Sequence, residues 1–307
     1  MSRKIVAQCL GSVIAIVMMG CNPPPATAVV DSGPIADTGP VPQPVVSVTM
    51  GTIDLSCVGH VTIPAPTTTV TAPLHVAEFL SMSAITSNAI DIFSTDVITD
   101  TCVAPTCTRY MTDASGNATI TLPDGGWFAY RLAASGQTAP VISYDQVWMG
   151  ARTQPAYAFA PSTINEIGLL FNRTFQFSTS GSLSGRAVDC TGNALNSVRA
   201  RIFVGDTEVV TGPLADQTSP RITGLEGTMP TRNALTGPSG NFVGANVPPS
   251  EDAHVEAWAT LTAGALPQLI GCTQGRVLVG GITLAVVGPL RSDYPAGSRC
   301  AIAAAMH

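Results

Sequence analysis

The sequence predicts an all-β protein made of two tandem β-sandwiches behind a non-globular N-terminal segment. Three observations lead to this prediction. Short runs of alternating apolar and polar residues recur along the chain between Gly- and Pro-rich turns, which is typical of half-buried strands. No stretch after residue 46 has a capped pattern of 3.6-residue period. A turn-and-strand motif also occurs twice, which indicates duplicated sandwich units.

The alternation is clearest in three places. Residues 118–122, 198–202 and 255–261 each place an apolar side chain at every second position, so one face is buried and the other is wet. Two further strands, 277–279 and 282–286, flank Gly280-Gly281. This arrangement predicts a tight β-hairpin.

The repeat divides the chain. Thr112–Pro123 resembles Thr236–Pro248, and its central glycines, Gly116 and Gly240, lie 124 positions apart. Phe79 and Phe203 have the same separation, and each ends a strand, at 74–79 and 198–203. We therefore predict one sandwich at residues 47–177 and a second at 178–307, with the boundary near 178–184.

A family resemblance appears at the second copy. Residues 185–199 (GRAVDCTGNALNSVR), followed by Ser239-Gly240-Asn241-Phe242 and Val247-Pro248, resemble carboxypeptidase regulatory-like domains. The resemblance implies a transthyretin (prealbumin)-like, Ig-like sandwich, in a family of interaction, spacer or sugar-binding modules. Residues 50–175 resemble it less closely. These motifs are turn signals, so the resemblance implies a fold and no chemistry.

The N-terminus predicts export. Arg3 and Lys4 precede the mostly apolar run 5–19, which is shorter than a membrane span, so residues 1–20 are typical of a signal peptide. Residues 17–21 (VMMGC) resemble a bacterial lipobox, which implies that Cys21 carries a lipid after cleavage. Met18 stands where leucine is usual, and an ordinary secretory signal is the alternative.

The segment after Cys21 predicts a tether. Residues 21–46 contain seven prolines and no periodic apolar pattern, so we expect an extended spacer. Asn22 is not the aspartate that would resemble an inner-membrane retention signal. The resemblance therefore favours an outer-membrane or cell-surface lipoprotein, attached to the membrane through its lipid.

The charge excludes one class of partner. Removal of residues 1–20 leaves twelve arginines against twenty acidic residues, which is a formal charge of −8. Because the chain has no basic cluster, we expect no nucleic-acid partner. An envelope protein or a glycan remains as a partner.

The cysteines predict a disulfide framework. Besides Cys9 in the signal and Cys21, the mature chain contains Cys57, Cys102, Cys107, Cys190, Cys272 and Cys300. Six thiols in an exported chain should form three disulfides. We expect a Cys190–Cys272 bridge, with Cys300 joined to a leftover cysteine of the first copy or to another chain. A local Cys102–Cys107 bridge is one alternative, and pairing of Cys57 with either of these two is another.

Catalytic motifs are absent from the sequence, so we expect no enzyme, no cofactor and no metal site. His75 and His254 are expected at the surface. Asp113, Asn117 and Asp124 surround one turn and offer oxygen atoms for Ca²⁺. We favour the alternative that these side chains bond their own backbone.

Aromatic residues give the remaining hint. Trp127, Trp148 and Trp258 are candidate ligand-binding residues, because an exposed indole on a sandwich can stack on a sugar ring. The alternative, which we favour, is that each indole is half-buried at a sheet edge or a junction. Two hypotheses follow: a non-enzymatic envelope lipoprotein for interaction or spacing, and a carbohydrate-binding module.

Overall fold

The fold is known from a computed structural model. It describes residues 43–60, 68–94, 98–99, 101–136, 138–148, 153–213, 215–226, 229–231 and 234–306. The predicted signal peptide, Cys21 and most of the predicted tether therefore lie outside the described residues.

Strands dominate the described chain. Those of the first half are β1 (Ser47–Val48), β2 (Thr69–Glu78), β3 (Ala89–Phe93), β4 (Cys107–Met111), β5 (Asn117–Pro123), β6 (Trp127–Leu132), β7 (Val141–Val147) and β8 (Gln154–Ala158). Those of the second half are β9 (Gly181–Ala187), β10 (Leu195–Asn196), β11 (Arg199–Val204), β12 (Thr207–Glu208), β13 (Arg221–Glu226), β14 (Met229–Pro230), β15 (Asn241–Val247), β16 (Ser250–Ala259), β17 (Gln268–Val277) and β18 (Ile282–Val287). The predicted all-β class is confirmed.

One long sheet joins the two halves. Its order is β14-β13-β15-β9-β18-β7-β6-β3-β4, and the halves meet where β7 runs parallel to β18, with Val141 opposite Ile282. A three-stranded sheet, β5-β2-β8, packs against the first half of it. A four-stranded sheet, β12-β11-β16-β17, packs against the second half, on the opposite face. Each half is thus a sandwich, and the nine-stranded sheet provides one layer of both sandwiches.

The cores follow from the alternation. Ala118, Ile120 and Leu122 of β5 are buried in the first core while Thr119 and Thr121 stay exposed, as predicted. Val255 and Ala257 of β16 enter the second core. The first core also contains Val243, Ala245 and Ile282 from the second half. Apolar burial therefore crosses the boundary predicted near residue 178.

The two halves repeat one topology. β2 lies between β5 and β8, just as β9 lies between β15 and β18. Likewise β3 pairs with β4 and β6, as β11 pairs with β12 and β16. The predicted match of strands 74–79 and 198–203 is wrong, because the first lies in β2 and the second in β11, which is the counterpart of β3.

The predicted hairpin at Gly280-Gly281 is also wrong. β17 pairs with β16, whereas β18 pairs with β7 and β9 in the other sheet. The two glycines therefore carry the chain from one layer to the other. Gly280 has a φ of +66°, and a Cβ at Gly281 would meet Leu278 and Pro140, so this crossing favours glycine at both positions.

The end of the predicted tether is docked. Val46 is buried in the second core, and its N–H donates to the Thr260 carbonyl at 2.9 Å. β1 follows at once and pairs with β10, so residues 45–48 pack against the second half. We call residues 43–60 the strap. It overlaps the start of the first sandwich as the sequence placed it, at 47–177, but it packs on the second sandwich.

The described part of the chain also contains two short helices, although the sequence after residue 46 shows no capped pattern of 3.6-residue period. α1 (Pro161–Leu170) begins with proline at its first turn, where the missing N–H costs nothing. α2 (Arg299–Met306) packs on β16 and β17. α1 buries Thr163, Ile164 and Gly168, and α2 buries Cys300 and Ala303, so tertiary packing stabilises both short helices.

Candidate functional site

All six cysteines among the described residues form disulfides. The pairs are Cys57–Cys190, Cys102–Cys107 and Cys272–Cys300, with Cα–Cα distances of 5.8, 5.1 and 5.5 Å. The local Cys102–Cys107 bridge is the one that spacing suggested. The predicted Cys190–Cys272 bridge and the expected partners of Cys300 are wrong. The strap brings Cys57 to Cys190, and α2 brings Cys300 to Cys272, and neither packing is visible in the sequence.

Trp148 is a core residue. It is fully buried, its indole Nε1–H donates to the Val70 carbonyl at 3.1 Å, and its ring meets Phe128 edge-on at 5.6 Å. No face of this indole is open to a sugar ring, so Trp148 is placed to hold the two sheets of the first sandwich together.

Trp258 belongs to an aromatic–ionic cluster of Arg201, Phe203, His254, Glu256 and Trp258. The cluster exists because β11 and β16 pair antiparallel with Arg201 opposite Glu256 and Phe203 opposite His254. Since these positions alternate with the buried Ile202, Val255 and Ala257, their side chains share the outer face of the four-stranded sheet. α2 covers part of this face.

Arg201 lies at the centre of the cluster. Its guanidinium carbon is 5.1 Å from the ring centres of both Phe203 and Trp258, and its Nε and Nη2 donate to Glu208 at 2.9 and 2.5 Å. Phe203 stacks on His254, with ring centres 4.7 Å apart and planes 7° apart. Arg201, Phe203 and Trp258 are each partly exposed, so they form the accessible part of the cluster.

Glu256 is the buried anion beneath them, with 4% of its surface exposed. The Trp258 indole donates to it at 2.7 Å, and His254 Nε2 lies 3.5 Å from its other oxygen. Burial raises the pKa of Glu256, but the hydrogen bonds from His254 and Trp258 and the charges of His254 and Arg201 outweigh it and hold the pKa below its usual value. Arg201 Nη1 on β11 lies 3.9 Å from Glu256 Oε2, so the ionised carboxylate also links β11 to β16.

The two histidines differ. His254 was expected at the surface, and this expectation is wrong, because the imidazole is buried under Phe203 with only 5% of its surface exposed. Alternation placed it on the outer face correctly, but it cannot reveal what covers that face. His75 is partly exposed and its Nδ1 lies 3.0 Å from Asn117 Oδ1.

Trp127 lies at the junction of the halves. The Arg291 guanidinium stands 5.2 Å from its ring centre and 5.2 Å from that of Tyr294, and Arg291 is nearly buried. Trp127 comes from β6 and Arg291 from the segment after β18, so this contact fastens one half to the other. The indole is half-buried at a junction, as the favoured alternative to sugar stacking predicted.

One cluster has the residue types of a metal site. Asp91 lies within 4.8 Å of the sulfur atoms of Cys102 and Cys107. The sulfurs are bonded to each other, so neither is a thiolate ligand. Asp91 is bound to Arg109 at 2.6 Å and to Arg131 at 2.7 Å. The donor set does not fit a cation.

The three oxygen donors considered for Ca²⁺ are also separated. Asp113 Oδ1 accepts hydrogen bonds from the N–H groups of Ser115 and Asn117 at 2.8 and 2.9 Å. Asp113 and Asp124 lie beyond opposite ends of β5, whose seven residues span roughly 20 Å. The alternative of local turn bonding holds for Asp113, while Asn117 bonds His75.

Comparisons with known proteins add little. No family model and no curated protein matches the sequence. The Bacillus anthracis TIE protein is similar at 12% identity and a TM-score of 0.23 over 71% of this chain, which spans only about a third (33%) of that protein. GBS52, the minor pilin of Streptococcus agalactiae, is 10% identical over 74% of this chain and 98% of its own, with a TM-score of 0.21. The shaft pilin SpaA of Lactobacillus rhamnosus GG is 11% identical over 72% and 98%, with a TM-score of 0.22.

Neither helix among the described residues has the length or the apolar character needed to cross a membrane.

Proposed function

We propose that the chain is a non-enzymatic envelope lipoprotein, anchored by a lipid at Cys21, that presents a rigid pair of β-sandwiches for interaction or spacing. The cysteine pairing is the observation that supports it best. Of eight cysteines, six form disulfides, and Cys9 lies in the predicted signal. Cys21 is then the one mature cysteine left over, and it stands at the lipobox-like position.

The disulfides support an exported location. Three bridges in one chain are typical of oxidising compartments outside the cytosol. Asn22 after the lipidated cysteine favours the outer membrane or the cell surface over inner-membrane retention.

The docked strap supports the role of a rigid display. The tether joins the folded part at Val46, which is buried, and the Cys57–Cys190 bridge fixes the chain again eleven residues later. A lipid-held tether would therefore pull on the second sandwich, through β1 and a covalent bond. The first sandwich is attached to the second through the shared nine-stranded sheet.

The strand directions also orient the display. The tether enters near the C-terminal end of β18. β1 pairs with β10, Ala194 just before β10 bridges Val188, and the Val188 N–H bonds the Val287 carbonyl. β7 runs parallel to β18, so the connection between β6 and β7 lies at the opposite end. The loops at that end of the first sandwich would face away from the membrane.

The test is lipid analysis of the anchored chain. Globomycin should cause an uncleaved precursor to accumulate, and mass spectrometry should find diacylglycerol on an N-terminal Cys21. Cys21→Ala should abolish acylation, whereas Cys9→Ala, the matched control inside the signal, should leave it intact. A mature chain that starts at another residue would sink the proposal.

A carbohydrate-binding role is the second candidate, supported by the partly exposed Trp258 beside Arg201 and Phe203. A glycan array probed with the mature chain tests it. Binding that Trp258→Ala removes and Trp127→Ala leaves unchanged would support this patch. An array without any hit would count against it.

A further inference from the structure

We propose that the chain pairs with a second copy of itself through the open edge of β5, so that two first sandwiches share one continuous sheet. Among the described residues, β5 is the end strand of its sheet and pairs with β2 alone. Such an edge is a template for another strand unless something blunts it.

The register identifies the open groups. Pro73 of β2 lies opposite Thr119, and proline has no N–H, so the β2–β5 hydrogen bonds come from Ala118, Ile120 and Leu122. The N–H and C=O groups of Thr119 and Thr121 therefore point outward. Among the described residues, no backbone partner occupies them, and both threonine side chains are exposed.

The second half shows what such an edge binds. β15 is the counterpart of β5, and β13 pairs along its outer edge, with Thr223 opposite Val243 and Arg221 opposite Ala245. Val243 and Ala245 correspond to Thr119 and Thr121 at the 124-residue offset, and both are buried. The first half has only a short turn between β4 and β5 where the second half inserts β13.

Two other end strands, β8 and β17, have outer backbone groups that are already bonded. On β8, the Tyr157 N–H donates to the buried Tyr130 hydroxyl at 3.1 Å. On β17, the Cys272 carbonyl accepts from the Tyr294 hydroxyl at 2.7 Å, and the Leu290 N–H bonds the Ile270 carbonyl. β5 has no comparable cover in the described chain.

The sequence of β5 suits self-pairing. It reads NATITLP and carries no charge, so two copies can approach without repulsion along the strand. An antiparallel pair centred on Ile120 places Thr119 of each copy opposite Thr121 of the other, and each such pair exchanges two hydrogen bonds. Asp113 and Asp124 flank the strand and are exposed, so added salt should tighten the pair by screening them.

The size of the contact sets its strength. One seven-residue edge falls below the roughly 1,000 Å² expected of a stable interface, so the dimer is weak in solution. Confinement by the proposed lipid anchor would raise the local concentration. The anchor would change only the fraction of chains that are paired, so the pairing can be tested on chains without a lipid.

The test is sedimentation equilibrium of mature residues 21–307 carrying Cys21→Ser, from about 10 µM to about 1 mM. The chain should dimerise reversibly. Thr119→Pro removes an outward N–H that β2 does not use, and proline is tolerated at such edge positions. It should weaken the dimer at least about tenfold.

Two lysine variants keep the test decisive if the proline variant misfolds. Thr71 and Thr121 share a side-chain hydrogen bond at 2.6 Å on the same exposed face, so Thr121→Lys and Thr71→Lys lose the same bond. Only Thr121→Lys places its charge on the edge strand, and it alone should abolish dimerisation. A monomer at every concentration, or a dimer insensitive to Thr119→Pro and Thr121→Lys, would overturn the proposal. A monomer that binds a peptide of residues 219–226 would assign the edge to another polypeptide and overturn it too.

Discussion

Thr112 and Thr236, which lie 124 residues apart, make three equivalent hydrogen bonds in the two halves. Each Oγ1 accepts the N–H of the residue just before β3 or β11, Asn88 at 2.9 Å and Val198 at 3.0 Å. Each N–H returns a bond to the carbonyl of that same residue. The preceding serines, Ser87 and Ser197, both have positive φ and donate to the threonine carbonyl. Both threonines are buried, so the bonds are shielded from water.

Removal of the Thr236 hydroxyl should therefore destabilise the second sandwich. Thr236→Val keeps the shape but leaves the Val198 N–H and the Leu195 carbonyl without the partner they have now. The free energy of unfolding should fall by about 1–3 kcal/mol. Urea titration measures the loss. Thr236→Ser retains the hydroxyl and should lose less, and equal losses in the two variants would contradict this role.

The same pair shows how far the sequence reaches. The offset of 124 aligned Thr112 with Thr236 correctly, but β3 and β11 match at 110, as Asn88 and Val198 show. The difference is the segment with β13 and β14, inserted between them in the second half. A single offset of 124 residues cannot align the strands on both sides of this insertion. It therefore pairs Phe79 with Phe203, although the predicted strands that these two residues end are not equivalent.

Alternation predicted strands and buried faces well, because it reports the local period of two. It carries no information on which sheet a strand joins, so β17 and β18 looked like a hairpin. For the same reason the burial of His254 and the pairing of Cys272 with Cys300 could not be predicted. The burial of His254 depends on the stacked ring of Phe203 on β11, and the pairing of Cys272 depends on the packing of α2, so both are set by residues distant in the chain.

The Cys272–Cys300 bridge should control how tightly α2 is held. It closes a loop of 28 residues, which the chain-entropy estimate values at about 3.5 kcal/mol before any strain. The double variant Cys272→Ala/Cys300→Ala should unfold at lower denaturant and show faster amide exchange in α2. Non-reducing peptide mapping of the parent should recover the 272–300 pair, and a map that joins Cys190 to Cys272 would contradict the structure.

Asp91 should make stability depend on pH in the acid range. Burial raises the pKa of this carboxyl, but the hydrogen bonds and charges of Arg109 and Arg131 outweigh it, so the pKa in the folded chain lies below its usual value. Arg131 is the stronger partner, since its side chain is only 16% exposed against 59% for Arg109. The stabilisation is present above the unfolded pKa of about 3.9 and is lost as the pH falls through the folded pKa.

Asp91→Asn should therefore be less stable than the parent at pH 6, and the gap should shrink as the pH drops below about 4. Thermal unfolding midpoints across this range measure it. Arg109→Gln, which leaves the buried Arg131 contact in place, should have the smaller effect. A gap that stays constant from neutral to acid pH would show that Asp91 does not act through its charge.

The strap formed by residues 43–60 should decide whether the second sandwich is stable by itself. A fragment of residues 178–307 lacks β1 and loses Val46 from its core, and it exposes the edge of β18 that β7 covers. A composite that joins residues 43–60 to residue 178 restores the first two features. The linker needs about 15 Gly/Ser residues to span a strand length.

With Cys190→Ser in both chains and Cys57→Ser in the composite, the disulfide no longer contributes to the difference between them. The composite should then be more stable by about 2 kcal/mol, which is the value expected for burying one valine and pairing β1 with β10. Both chains should show a β-type circular dichroism spectrum, because the residues of the second core come from β9 to β18 apart from the strap. Equal denaturation midpoints would mean that the strap does not stabilise the second sandwich. A fragment without cooperative unfolding, beside a composite that unfolds cooperatively, would make the strap an obligatory strand of the second sandwich.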